Sequence, residues 1–164
     1  MKLVEAVVVV ADPQALANDQ GSLWLMLLGD LKALYDAYYS AHWRSYGDPY
    51  YGDHLLYQRL YGDVITEIDS VAERALGITG NDALVEPGTL LSAEMSCLKA
   101  LVMPGEFAAS MLEAEKRFLQ RLKTMLDTIR AGALLSDGTE DLLQGIANKH
   151  EEHVYLLSRR VRRK

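Results

Sequence analysis

The chain has 164 residues, 49% hydrophobic and 24% charged, with a formal net charge of −6 and a pI near 5.2. That is enough chain for one domain with its own core. No apolar stretch is long enough to cross a bilayer, an acidic body attracts cations and repels nucleic acid, and the lone thiol, Cys97, excludes an intrachain disulfide framework and fits a reducing cytosol.

At the start, Lys2 precedes the run Val7-Val8-Val9-Val10, and Ala15-Leu16-Ala17 resembles a small-residue cleavage site. Glu5 interrupts the run and the positive end has a single Lys, so no secretory leader is expected and the location is taken as cytoplasmic. Residues 1–21 are expected to form an N-terminal arm, its β-branched run extended against the body or a neighbour. Residues 22–164 then make the bundle of one domain spanning 1–164.

From Ser22 to about Tyr46, Trp24, Leu28, Leu31, Tyr35, Tyr38 and His42 recur at three- and four-residue steps, the apolar stripe of a first long helix. Gly47-Asp48-Pro49 reads as C-cap glycine, N-cap aspartate and first-turn proline. So short a turn makes the second helix an antiparallel neighbour and brings His42 and His54 to one end of the hairpin. The second helix is expected from about Pro49 to Leu76, ending at Gly77, with His54, Tyr57, Tyr61, Ile65 and Asp69 on a slowly drifting face.

Residues 78–104 form a long crossover holding a short helix, Thr89 to Leu101, with Leu90, Leu91, Met95, Leu98 and Leu101 in step. A third long helix runs from about Gly105 to Arg130 on Phe107, Met111, Phe118, Leu122, Met125 and Ile129, ended by Gly132. A fourth starts near Asp137–Thr139 and carries Leu143, Ile146, His150, Val154, Leu157 and Val161 to the end. No strand pattern with hairpin turns is present. The predicted fold is all-α: a ferritin-like four-helix bundle with a short extra helix in the crossover between helices two and three.

Four residues stand out chemically. Asp69 and Glu73 at i and i+4 stack two carboxylates on one helix face. With His42 and His54 they make a mixed nitrogen and oxygen set suited to Fe(II) with an open position. Within one helix, His54 and Asp69 lie 15 residues apart, roughly 22 Å of rise, so they cannot grip one ion in one chain. Either the four are unrelated, or two chains share the site about a two-fold axis. His150 and His153 flank two glutamates, but His150 lies on the helix-four stripe and no Glu-x-x-His motif accompanies it. Both are read as packing residues.

The stretch Leu31 to Leu76 resembles the first helical hairpin of the Dps miniferritins. The likeness rests on His42-Trp43, Gly47 seven residues before His54, the 15-residue step to Asp69, and Asp69-Ser70-Val71-Ala72-Glu73-Arg74. The end, His150 to Leu157, follows that family's final helix more loosely, with Tyr155 where an indole is common.

The resemblance implies a hollow homo-oligomeric shell of twelve subunits. It implies a ferroxidase that oxidises Fe(II), preferably with hydrogen peroxide, and stores the ferric mineral, so protecting against oxidative stress. Its iron ligands and catalytic residues would be His42 and His54 of one subunit with Asp69 and Glu73 of the next, Glu73 bridging two ions. Trp43 and nearby tyrosines would absorb stray oxidising equivalents. Asp137, Glu140 and Asp141 fit both an acidic three-fold pore and ordinary helix-dipole complementarity.

Arg159, Arg160, Arg162, Arg163 and Lys164 form a basic end that also fits a helix C-terminus. Relatives that bind DNA use a longer Lys-rich tail, so direct DNA binding by a nucleoid-protection protein is the alternative rather than the first reading. A second alternative is a shell whose metal site is structural and holds zinc or manganese.

Overall fold

The computed structural model describes residues 13–132 and 136–161, with side chains from residue 20 onward. Among the described residues five α-helices follow one another: α1 (Pro13–Arg44), α2 (Tyr50–Thr79), α3 (Pro87–Leu101), α4 (Phe107–Ala131) and α5 (Asp137–Val161). A 3₁₀ turn, Asp82–Val85, precedes α3. Helices α1 and α2 form one hairpin and α4 and α5 the other. The crossover carries α3 against α1 and, more lightly, α4. The fold is the all-α, ferritin-like bundle that the periodicity predicted. None of the described helices is long and apolar enough to cross a membrane.

The first helix begins well before Ser22, so residues 13–21 of the expected arm belong to α1. Residues 1–12, with the valine run, lie outside the described residues. The α1 stripe is inside as expected: Trp24, Leu28, Leu31 and Tyr38 are essentially inaccessible. With Tyr57, Leu60, Phe118, Leu122 and Leu157 they make one continuous core, and each such large side chain contributes about 1.5–3 kcal/mol on burial.

Two turn residues behave differently from the sequence reading. Gly47 does adopt positive φ (75°) between α1 and α2. Asp48, however, caps nothing; Pro49 is the N-cap of α2 and its carbonyl accepts the Asp53 amide at 2.9 Å. At the far end α2 runs through Gly77. Gly80 ends it, at φ 60°, with its amide donating to the Leu76 carbonyl at 2.8 Å. A glycine inside a helix costs only about 1 kcal/mol, whereas a left-handed cap favours one strongly.

Helix α3 lies close on α1 at Gly29, where an added Cβ would sit 2.9 Å from the Ala93 carbonyl carbon and 3.0 Å from Cys97 Sγ. Beside this contact the buried Asp30 accepts from Arg121 Nε of α4 at 2.7 Å. The start of α2 is fastened to the end of α5, where Arg160 donates to both Asp53 oxygens at 2.5 and 2.9 Å.

Candidate functional site

The turn at Gly47 folds α2 back so that His42 and His54 face each other, ring centroids 3.7 Å apart and nearly parallel. Their second nitrogens are held reciprocally. His42 Nδ1 donates to the His54 carbonyl at 2.8 Å, and His54 Nδ1 to the His42 carbonyl at 3.2 Å. A carbonyl only accepts, so each Nδ1 carries the hydrogen, and in a neutral ring so held the lone pair is on Nε2. Metal-ligating imidazoles are ordinarily fixed through the other nitrogen in this way. Helix ends supply the carbonyls, which is why sequence alone did not reveal these partners.

Aromatic rings enclose the pair. Tyr39 lies parallel to His42 at 6.4 Å, Tyr61 meets His42 edge-on at 5.4 Å, and Tyr50 tilts against His54 at 5.2 Å. Trp43, two-thirds exposed, packs on Tyr39 at 4.2 Å.

Asp69 and Glu73 are both exposed, further along the same unbroken α2. The helix rise holds His54 and Asp69 roughly 22 Å apart, so one chain does not bring the four predicted ligands together. The drifting α2 face accounts for their exposure: Tyr57 on it is buried, whereas Ile65 and Asp69 are not. Ile65 shares an outward line with Tyr51, Leu55 and Asp69, spaced as successive turns of one face.

A second cluster lies inside the bundle, and the sequence reading missed most of it. His150, on the expected stripe, and His153, off it, are both fully buried, but their surroundings are carboxylates. The inaccessible Glu115 of α4 accepts from His150 Nδ1 at 2.6 Å and from His153 Nδ1 at 3.0 Å. The outer nitrogens reach α2: His150 Nε2 meets Glu67 at 2.9 Å and His153 Nε2 meets Asp63 at 3.2 Å. The Tyr38 hydroxyl of α1 donates to Glu115, and the Phe118 ring tilts against His150 at 4.2 Å. Glu115, His150 and His153 offer ligand atoms all within 4.8 Å of one another. The available signal was Glu115 itself, a carboxylate on the apolar stripe between Met111 and Phe118.

Charge is concentrated in this cage. Burial alone would raise the Glu115 carboxyl, but the imidazoles of His150 and His153 outweigh it and hold it at about 2. Burial alone would lower His150, yet the charge and hydrogen bonds of Glu115 and Glu67 lift it to about 9. Burial, then the Glu115 charge, pushes the Tyr38 hydroxyl well above its ordinary value, so it stays a donor.

The remaining sequence candidates are placed as follows. Glu140 is committed to an ion pair with Arg130, while Asp137 and Asp141 are exposed near the start of α5. Arg160 is held by Asp53 and Arg159 is exposed. Arg162, Arg163 and Lys164 lie outside the described residues.

No family model matches the chain. Among curated proteins it is 28% identical over 135 residues to DNA protection during starvation protein 2 of Bacillus anthracis, covering 79% of this chain and 88% of that one. Dps from Thermosynechococcus elongatus superposes with a TM-score of 0.76 at 18% identity, over 93% of this chain and 97% of that one. A Dps protein from Vibrio cholerae O1, described as a member of a broad superfamily of ferritin-like diiron-carboxylate proteins, gives 0.75 at 16% identity, over 98% and 100%. At these identities the solved structures establish the fold.

Proposed function

Because the curated relatives and the shared fold support the Dps family for this chain, we propose that it is the subunit of a homo-oligomeric shell that oxidises Fe(II) and stores the ferric product. The site is shared: His42 and His54 of one subunit with Asp69 and Glu73 of the partner subunit. One observation carries the reading above all. Both hairpin imidazoles are locked by backbone carbonyls in the tautomer that presents Nε2 as a lone-pair donor.

The outward line of Tyr51, Leu55 and Ile65 supports a partner along α2. Gly62 lies on the same line and has nothing within 4 Å of an added Cβ, leaving room for a close helix crossing. A two-fold axis there sets Asp69 and Glu73 of each subunit against the other's histidine pair and makes two sites per dimer. Twelve such subunits close the shell in this reading, and the protein works in the cytoplasm.

Fe(II) is substrate and cargo. Two ions held close by two imidazoles and two carboxylates deliver two electrons to one hydrogen peroxide; with two protons, two waters leave and two ferric ions remain. This avoids the one-electron cleavage that would release hydroxyl radical. His42 and His54 hold the ions as neutral ligands, Glu73 bridges, and Asp69 binds one ion. Trp43 and Tyr39, in ring contact beside His42, intercept oxidising equivalents that escape.

The test is the double variant His42→Gly/His54→Gly. Rapid peroxide-driven Fe(II) oxidation is expected to disappear in stopped-flow absorbance, while particle mass by light scattering stays that of the wild type. Unchanged oxidation kinetics would refute the ligand assignment.

A further inference from the structure

We propose that Glu115, His150 and His153 bind one divalent first-row transition ion inside each subunit, at a site separate from the one shared between subunits. The donor set is complete within one chain, and it does not depend on how subunits pair. Two imidazole nitrogens and a carboxylate oxygen already converge from α4 and α5. Donors about 2.0–2.2 Å from an ion stand about 3.3 Å apart in a tetrahedral arrangement, and the Glu115 contacts at 2.6 and 3.0 Å need to open only slightly to admit one.

The surroundings argue more strongly than the donors. A ligating histidine is normally oriented by a carboxylate or carbonyl on its far nitrogen. Here both are: Glu67 takes His150 Nε2 and Asp63 takes His153 Nε2. The Tyr38 hydroxyl and the Phe118 ring close the remaining sides. All three ligands are inaccessible, while the side chains of Asp63 and Glu67 are 27% and 12% exposed. The route for an ion therefore passes α2.

Each ring also meets a carboxylate at both nitrogens, so three carboxyl groups, of Asp63, Glu67 and Glu115, surround the two imidazoles. A mixed nitrogen and oxygen set of this kind selects Fe(II) or Zn(II) over the hard alkaline-earth ions and over soft Cu(I).

The experiment begins by removing the hairpin ligands with His42→Ala/His54→Ala/Asp69→Ala/Glu73→Ala, leaving the interior intact. The full-length variant is loaded with Fe(II) under anaerobic conditions, with Zn(II), or with Co(II) as an optical probe, then dialysed and assayed for metal. About one ion per subunit should remain, with visible ligand-field absorption for Co(II) and a raised melting temperature. Competition between Fe(II) and Zn(II) then names the preferred ion. In the same background Glu115→Gln should abolish retention. Asp63→Asn, at the solvent edge where folding tolerates change, should weaken binding about 10- to 100-fold. No ion retained by the starting variant, or undiminished binding after Asp63→Asn, would overturn the proposal. Failure of the hairpin reading shows separately, as unchanged oxidation in the His42/His54 double variant.

Discussion

The molecule holds two histidine pairs in opposite circumstances. His42 and His54 sit at a helix turn, each fixed by an uncharged carbonyl, with the candidate carboxylates for their site out of reach on the same rigid helix. His150 and His153 sit in the bundle centre, each flanked by carboxyl groups at both nitrogens. Carbonyl partners hold each hairpin imidazole through Nδ1. Carboxylate partners saturate the interior pair and make it part of the core. In the proposed reading the first pair is completed by another chain, whereas the partners of the second pair all come from one chain.

The largest expected difference between the pairs is in stability. Glu115→Ala strips the central charge from two buried imidazoles and should cost about 3–5 kcal/mol in denaturant unfolding of the metal-free protein. The His42→Gly/His54→Gly change should cost much less, because His42 keeps 9% of its surface exposed and His54 is only half-buried. Similar losses in the two variants would remove the contrast.

The cage should also impose a pH window. Glu115, held low by its imidazole neighbours, contributes stability present above its ordinary 4.5 and lost as pH falls toward about 2. His150, held high by Glu115 and Glu67, contributes stability present below its ordinary 6.5 and lost as pH rises through about 9. Melting temperatures of the metal-free protein should decline on both sides, and Glu115→Gln should flatten the acid limb.

A smaller effect tests the basic end of α5. Arg160→Met should cost about 1–2 kcal/mol, since the bond pair to Asp53 fastens α5 to the turn that carries His54. A chain that kept Arg160 for nucleic acid would lose salt-dependent DNA retardation instead, with no change in unfolding.

The helices were readable from sequence because their stripes repeat every three to four residues, and the hairpin turn because Gly47 had to adopt positive φ. Helix ends were less so: Gly77 looked like a terminus and Gly80 was one, a choice made by a capping bond that leaves no periodic trace. The hairpin histidines were visible through their spacing, but their Nδ1 partners are carbonyls, which every residue has. The cage escaped because its members come from four helices. Glu115 is a single polar break in an apolar stripe, and only packing shows that it lies between two histidines.

The claim on which the proposed function rests is that neighbouring subunits share the hairpin site. Co-assembly of two inactive variants measures this directly: His42→Gly/His54→Gly subunits mixed with Asp69→Ala/Glu73→Ala subunits, then assayed for peroxide-driven Fe(II) oxidation. Every mixed pair regains one intact site, so random pairing should restore about one quarter of wild-type activity. A mixture as inactive as its two components would contradict the shared site.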